Sequence, residues 1–409
     1  MTRNVDALVI GAGPAGLTAA WELRNLGIEN VLVAERESVA GGIPRHSHHP
    51  GYGIKDLHRF MSGPSYAKAL VARAQDSGVK IATNFSVTDW NDDDSLIATS
   101  KRGREKIAPQ VIILAMGARE RPRSARLVPG NRMRGIYTTG ELQQAVYEYD
   151  LPIGTRAVVV GAEHVSYSAV MTLRHAGVKV AAMVTEHSKY QTYSAFHFGA
   201  KARYWLPLRV NTVVTAVNGS DRVESVTICD NRGNESTVEC DVVVFTGNWI
   251  ADYELSQRRG IKQDPGTTGP NVNQLLRTSQ SNVFAAGNVL HPVTTADVAA
   301  LDGIVAARSA ANYLAGTELL GNTVSIKVTS PLVWVSPQQV LIGAGAQPRG
   351  CFQLWVAEFT ESHLVLVQQG AQTLFSQKLK LIPGRPTELK STWISEVDPA
   401  GGPVEIRLG

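Results

Sequence analysis

The sequence predicts an α/β chain with two dinucleotide-binding folds followed by a small all-β domain. Three observations carry that expectation. An apolar strand near the start runs into "GAGPAG"; a second strand–turn–helix–strand unit begins at Arg156; and beyond Gly321 the chain breaks into short alternating runs separated by Pro, Gly, Ser and Asn. With 409 residues, 44% of them apolar, there is material for two or three cores.

The first unit is the strongest local signal. Val5 to Ile10 is nearly continuous in apolar residues, as a strand buried on both faces requires. Gly11, Gly13 and Gly16 follow, with Pro14 and Ala15 inside the turn, and Leu17 to Leu26 carries helical periodicity. A second strand, Asn30 to Ala34, ends on Glu35 and Arg36. Strand, glycines, helix, strand and terminal acid together make a Rossmann-like βαβ unit. Gly11 permits the tight turn, Gly13 lets backbone approach a pyrophosphate, and Gly16 lets helix and strand pack closely. The helix N-terminus offers free amides to the phosphates, and Glu35 is placed to accept the adenosine ribose hydroxyls.

The second unit, Arg156 to Glu186, has the same order of elements with a damaged fingerprint. Gly161 is kept, but Glu163 stands at the second glycine position and Ser166 at the third. Glu186, closing the second strand, suits an NAD ribose better than a 2'-phosphate. Two readings stay open: NAD(H) bound through a rearranged turn, or a retained fold that has lost its nucleotide. A carboxylate at 163 counts against the first both sterically and electrostatically.

The tail gives "TVSIKVTS", "PLVWVSP", "CFQLWVAEF", "HLVLVQQG" and "PVEIRLG", a pattern expected of an antiparallel β domain, a sandwich, used for docking or oligomerisation. Trp334, Trp355 and Trp393 are expected in its core. Domain spans follow as 1–125 and 251–321 for the first fold, 126–250 for the second and 322–409 for the β domain.

Composition excludes several classes. A net charge of +4 without a long basic block argues against nucleic-acid binding. The start turns apolar at once and breaks at glycine after about six residues, too short for a signal peptide, and no run of about 18 apolar residues suggests a membrane span. Cys229, Cys240 and Cys351 form no CxxC pair and no disulphide framework, so a reducing cytoplasm is the expected location. Cys229 and Cys240, flanking the turn "DNRGNES", could face each other across a hairpin.

Three further segments specify the nucleotide. "DALVIGAGPAGLTAAWEL" resembles the opening of the two-dinucleotide-fold flavoproteins, the superfamily of glutathione and thioredoxin reductases. "VIILAMGARERPR" resembles the strand and turn closing that family's first FAD segment, and "NVFAAGNVL" its late FAD motif, with Asn288 in place of Asp. The resemblance implies a glutathione-reductase-like fold and an FAD held by residues including Gly42, Ile43, Ala115, Gly117, Gly287 and Asn288. It also implies a helix starting near Thr295, a plausible N-cap, whose positive end supports a reduced, anionic flavin. In the disulphide reductases redox cysteines follow the "GG" or sit in the NAD domain; this chain has neither, so disulphide reduction is rejected.

"GGIPRHSHHPGYG" and "FMSGPSYAKAL" are similar, more narrowly, to flavoprotein subunits of multi-subunit amine, opine, hydroxyproline and glycerol-phosphate dehydrogenases. Ser47 stands where those often carry cysteine, and Tyr52 where they carry Phe. That likeness implies partners: a second flavoprotein subunit and a small iron–sulphur protein, or alternatively a homo-oligomer.

The histidine loop makes a poor metal site, because His48 and His49 are adjacent and no Cys or Asp lies near. His46, His48 and Arg45 are the catalytic candidates, steadying an anionic flavin, binding a substrate carboxylate or relaying a proton. The plainer alternative is a loop shaped by proline and glycine. Arg119, Arg121 and Arg123 divide evenly between cofactor phosphates and a solvated crossover. Thr185 to Trp205 is read either as a cleft or docking segment or as a helix with a core stripe from Tyr193 to Phe198. Trp249 is placed near a flavin entrance. Two functions compete: an FAD-dependent dehydrogenase subunit passing electrons from an amine, amino-acid or polyol donor, or NADH, to a partner, and a structural or regulatory flavoprotein with a vestigial NAD site.

Overall fold

The computed structural model describes residues 2–409, without the side chains of 361 and 362. The chain forms two compact units: Met1–Arg45, Pro50–Ala118 and Ile250–Gly409 make the first, and His46–His49 with Arg119–Trp249 the second.

In the first unit the apolar run expected at the start becomes the strand Thr2–Ile10, central in a seven-stranded sheet. It pairs in parallel with Val31–Ala34 on one side and Gly103–Leu114 on the other, so Ala7 lies between Val31 and Val111. Val283–Ala285 returns from late in the sequence to pair with Gly103–Leu114. The long strand exceeds the parallel part of the sheet and extends it antiparallel through Leu96–Ser100 and Phe85–Trp90. Val9, Val33, Ile113 and Phe284 are buried there, as a sheet covered on both faces requires.

Two helices cover one another over this sheet, Pro14–Asn25 and Ala296–Leu314. Their contact is set by small residues. A Cβ on Gly303 would lie 2.2 Å from the Ala15 carbonyl oxygen and 3.0 Å from Ala19 N. Only backbone-to-backbone approach fits.

The tail is a sandwich, with one difference from expectation. Its five-stranded sheet places Thr323–Val328 beside Val404–Leu408 in parallel, while its remaining pairs and those of the three-stranded sheet are antiparallel. Chain ends that enter and leave one sheet at its centre can lie parallel without a local crossover. Both sheets contribute to one core, with Ile326 and Val367 from one and Phe352 and Leu354 from the other, closed by Trp393. Trp334 is buried and stacks on the half-buried Trp355 at 5.5 Å. Buried glutamines hold this sandwich to the first fold: Gln274 donates to Leu341 O at 2.9 Å and accepts from Leu341 N at 2.6 Å, and Gln338 Oε1 accepts from Val272 N at 3.1 Å.

The second unit repeats the architecture. A five-stranded parallel sheet runs Ile136–Thr138, Val242–Phe245, Arg156–Val160, Lys179–Val184, Leu208–Arg209. The helix Thr139–Tyr147 begins with a reciprocal cap between Thr138 and Glu141, and His164–His175 follows the second fingerprint. An antiparallel meander, Thr212–Gly219, Val223–Asp230 and Glu235–Glu239, completes it.

Two expectations are corrected in this unit. Cys229 lies opposite Val213 and Glu235, while the Cys240 amide donates to Glu224 O, so the two cysteines do not face each other. Burial, with Asp241 beside it, pushes the Cys240 thiol up to about 12. The helix Ser194–Tyr204 buries His197 alone; Phe196 and Phe198 are 56% and 58% exposed, so no core stripe exists there. Helical spacing of aromatics reports a face, not what covers it.

Candidate functional site

The carboxyl ends of the first unit's parallel strands converge on one loop system. Gly11 N donates to Ala34 O and Ala115 N to Ile10 O, each at 2.8 Å, and Ala286 N to Leu114 O at 2.9 Å. Gly11, at φ +105°, passes so close to Ala115 that a Cβ would lie 2.4 Å from its carbonyl oxygen. Gly13 differs: a Cβ there meets nothing within 4 Å. The turn is therefore tight on the protein side and open in front of Gly13. The helix behind it has no side-chain cap, and its first intrahelical donor is Leu17 N, leaving the Ala15 and Gly16 amides pointing forward. Pro14 begins the helix where a missing amide costs nothing.

Glu35 is buried and fixed by the loop it serves. One carboxylate oxygen accepts from Ala12 N and the other from Glu37 N, each at 2.8 Å, and each keeps a lone pair for a hydroxyl donor. Gly42, at φ +62°, presses against Gly13, where a Cβ would lie 2.8 Å from Gly13 Cα; Ile43 beside it is exposed. Arg36 pairs with Asp252 at 3.3 Å, and Asp252 N donates to Gly117 O. An open glycine, an uncapped helix end and a prepositioned carboxylate fit the pyrophosphate and ribose of FAD.

The late segment is also drawn in. Gly287, at φ +76°, lies against Ala15, with a Cβ falling 2.8 Å from the Ala15 Cβ. Asn288 Oδ1 accepts from Thr294 N at 2.9 Å and from the Thr294 hydroxyl at 3.0 Å, so its amide shapes the loop back to the helix. Thr295 holds the N-cap position, but its hydroxyl donates to Asp297 instead of capping. That correction has an electrostatic side. The Asp297 carboxylate, which also accepts from Lys55 N at 3.1 Å, sits in the first turn and offsets the positive potential expected there.

Nearby, Tyr66 is fully buried and donates to Asp56 at 2.6 Å. Burial raises the Asp56 carboxyl, with Asp297 adding to the effect. Desolvation and then Asp56 raise the Tyr66 phenol. The sequence carries no sign of this cluster: Tyr66 stands in "FMSGPSYAKAL", and no spacing joins it to Asp56 or Asp297.

The second unit's site is shaped differently. Ala162 N donates to one Glu163 carboxylate oxygen at 3.1 Å, and Thr246 Oγ1 donates to the other at 3.2 Å. A Cβ on Gly247 would lie 1.8 Å from Glu163 Oε1, and one on Gly161 would lie 2.9 Å from Oε2. The carboxylate thus fills the space between two glycine turns at the carboxyl edge of the sheet, where a pyrophosphate would lie. Glu186 stands exposed beyond the strand, 3.9 Å from His187. The residues present do not fit NAD(P).

Below Glu163, buried Glu120 accepts from Thr139 Oγ1, Gly140 N and Gly247 N. Burial outweighs those bonds and pushes its carboxyl up to about 7, with Glu163 adding repulsion. Arg126 donates to the Thr246 and Gly247 carbonyls at 2.9 and 2.8 Å. The backbone of the "RERPR" run is tied within the second unit, where Arg121 N donates to Asn248 O.

Arg45, His46 and His48 each have partners within their own unit. Arg45 belongs to the first unit, paired with Glu37 at 2.5 Å and donating to Val39 O at 2.5 Å. His46 is buried in the second unit, 3.3 Å from Gln143 Oε1. His48 stacks on Tyr147 with ring centroids 3.9 Å apart and planes 5° from parallel. Among the described residues no group of three or more His, Cys, Asp or Glu could hold a metal ion, and no helix is long and apolar enough to cross a membrane.

Fold and cradle define an FAD-dependent oxidoreductase. The chain belongs to the pyridine nucleotide-disulphide oxidoreductase family, whose model matches residues 5–303. It is 25% identical over 318 residues to a ferredoxin–NADP reductase of Ignicoccus hospitalis, covering 76% of this chain and 98% of that one. It is 26% identical over 276 residues to sarcosine oxidase subunit alpha of a Corynebacterium species, covering 63% of this chain and 28% of that longer protein. Among solved structures, thioredoxin reductase of T. acidophilum shares the fold, with a TM-score of 0.65, 22% identity and 76% and 99% of the two chains covered. The catalytic cysteine pair of the disulphide reductases is missing.

Proposed function

We propose that the chain is a flavoprotein subunit of a multi-component dehydrogenase. It moves an electron pair between a small amine, amino-acid or polyol-type donor and a partner acceptor. The observation that carries this is the contrast between the two nucleotide sites: the first is open at Gly13 and armed with Glu35, while the second is filled by Glu163. FAD supplies the redox chemistry when bound, and the protein orients it and selects what reaches it. A filled second site argues against NADH as donor, so electrons come from elsewhere. The likeness to a sarcosine oxidase subunit supports an amine-type donor and protein partners.

The same contrast favours one half of the alternative, a vestigial NAD site, without its other half. An armed first cradle serves a redox subunit better than a purely structural one. Anaerobic mixing decides the matter: the purified protein, alone and with co-purifying subunits, is exposed to amines, amino acids, polyol phosphates and NADH while flavin absorbance is followed. Bleaching by an amine, amino acid or polyol phosphate is the expected result. Bleaching by NADH alone, or by no donor even with partners present, would overturn the proposal.

A further inference from the structure

Arg349 lies in the C-terminal sandwich, beyond residues 5–303 that the family model matches. Its guanidinium donates to Asp302 Oδ1 at 2.6 Å. Asp302, in the helix Ala296–Leu314 and 2% exposed, is one residue from the Gly303 contact with Ala15. Its second oxygen is 2.6 Å from Nε2 of His291, itself 3% exposed. The His291 ring turns its Nδ1 to Thr294 Oγ1 at 3.2 Å, and Thr294 reaches Asn288 through both hydroxyl and amide. Burial alone would raise the Asp302 carboxyl, but Arg349 and then His291 outweigh it and hold it ionised. A buried carboxylate with a partner on each oxygen fixes both partners in direction as well as in distance.

We infer that Arg349 and His291 are positioning residues for the cofactor: through Asp302 and Thr294 they set the Asn288 loop, so the β domain takes part in the FAD site. This rests on the assignment of Asn288 to FAD. The bonded run is continuous from Arg349 to Asn288, and its central groups, Asp302 and His291, are buried, where an unmade bond is costly. A simple docking domain would not need an ion pair reaching toward the cofactor segment.

The test uses the full-length holoprotein with Arg349→Met, Arg349→Lys, Thr294→Val and the Met/Val double variant. FAD dissociation is measured by fluorescence, with the flavin midpoint potential and the melting temperature of the FAD-free protein alongside. Arg349→Met and Thr294→Val should each weaken FAD about tenfold and shift the potential. Arg349→Lys should recover most of the loss, and the double variant should be little worse than either single change. Unchanged affinity and potential in a folded Arg349→Met protein would sink the inference, as would losses that multiply in the double variant. If Arg349→Met does not fold, Arg349→Gln decides in its place, because it removes the charge facing Asp302 and keeps a donor; unchanged affinity and potential in that variant would equally sink the inference. Wild-type protein that takes up no FAD would instead defeat the functional proposal.

Discussion

Thr246 donates its hydroxyl to Glu163 at 3.2 Å, at the turn where a Rossmann-like fold would receive a pyrophosphate. The partner loop has adapted to it: a side chain at Gly247 would collide with the Glu163 carboxylate, so the two turns fit only as this pair. The closed state is part of the packing of the second unit.

Removing the plug should therefore open the site. Glu163→Gly is expected to give NADH binding by calorimetry, weak but measurable, where the wild type gives none. Glu163→Gln separates the causes, since it removes charge and keeps volume. Binding regained with Gln would make repulsion the obstacle; binding regained only with Gly would make it steric.

Glu120 makes the second unit's stability fall with rising pH. Its folded carboxyl titrates at about 7, above its ordinary value of 4.5, so between those values the folded chain holds the proton more tightly than the unfolded one. The contribution is fully present below pH 4.5 and is lost as pH rises through 7. That difference corresponds to roughly 3 kcal/mol across the window. Melting curves from pH 5 to 8 should show a downward slope from this group that Glu120→Gln flattens, at the cost of one backbone bond. A slope unchanged in Glu120→Gln would place its origin elsewhere.

Two glycines of the first unit should separate folding from binding. Gly13→Ala places a methyl where the structure has only open space, at φ −82°, which alanine accepts. It should fold with an unchanged melting temperature in the FAD-free state and lose FAD at least tenfold, because the methyl occupies the approach to the pyrophosphate. Gly303→Ala meets the Ala15 carbonyl at 2.2 Å and must part the two helices. A loss of about 1–3 kcal/mol in the FAD-free protein is expected, before any ligand is considered. Equal behaviour of the two variants in the FAD-free protein would contradict this division.

What the sequence revealed follows the range of the interactions. Gly11, Gly13, Gly16 and Glu35 were legible because their geometry is set within one βαβ unit. Glu163 was legible as a departure for the same reason. Gly303 carried no signal, since a glycine inside a helix gives no hint of the carbonyl that will meet it from a helix far away in the chain. The Asp302–His291–Arg349 cluster was hidden by the same distance, 47 residues between its carboxylate and its guanidinium. The loop histidines stood out by composition, yet composition could not say that Arg45 would belong to one unit and His46 to the other.

His48 offers the last test, because its stacking and its proposed chemistry predict different variants. The ring lies flat on Tyr147, and burial, followed by the nearby His175, lowers its pKa against the opposing pull of Glu148. The neutral ring therefore dominates near pH 7, suited to stacking and to accepting a proton but poorly suited to steadying an anion. If packing is its role, His48→Phe keeps the stack and leaves stability and flavin reduction rates as in the wild type. His48→Ala then costs about 1 kcal/mol, measured by urea unfolding, again without a change in rate. We expect that pattern. A His48→Phe variant that stays as stable as the wild type but reduces flavin tenfold more slowly, with its pH dependence gone, would return the residue to the chemistry.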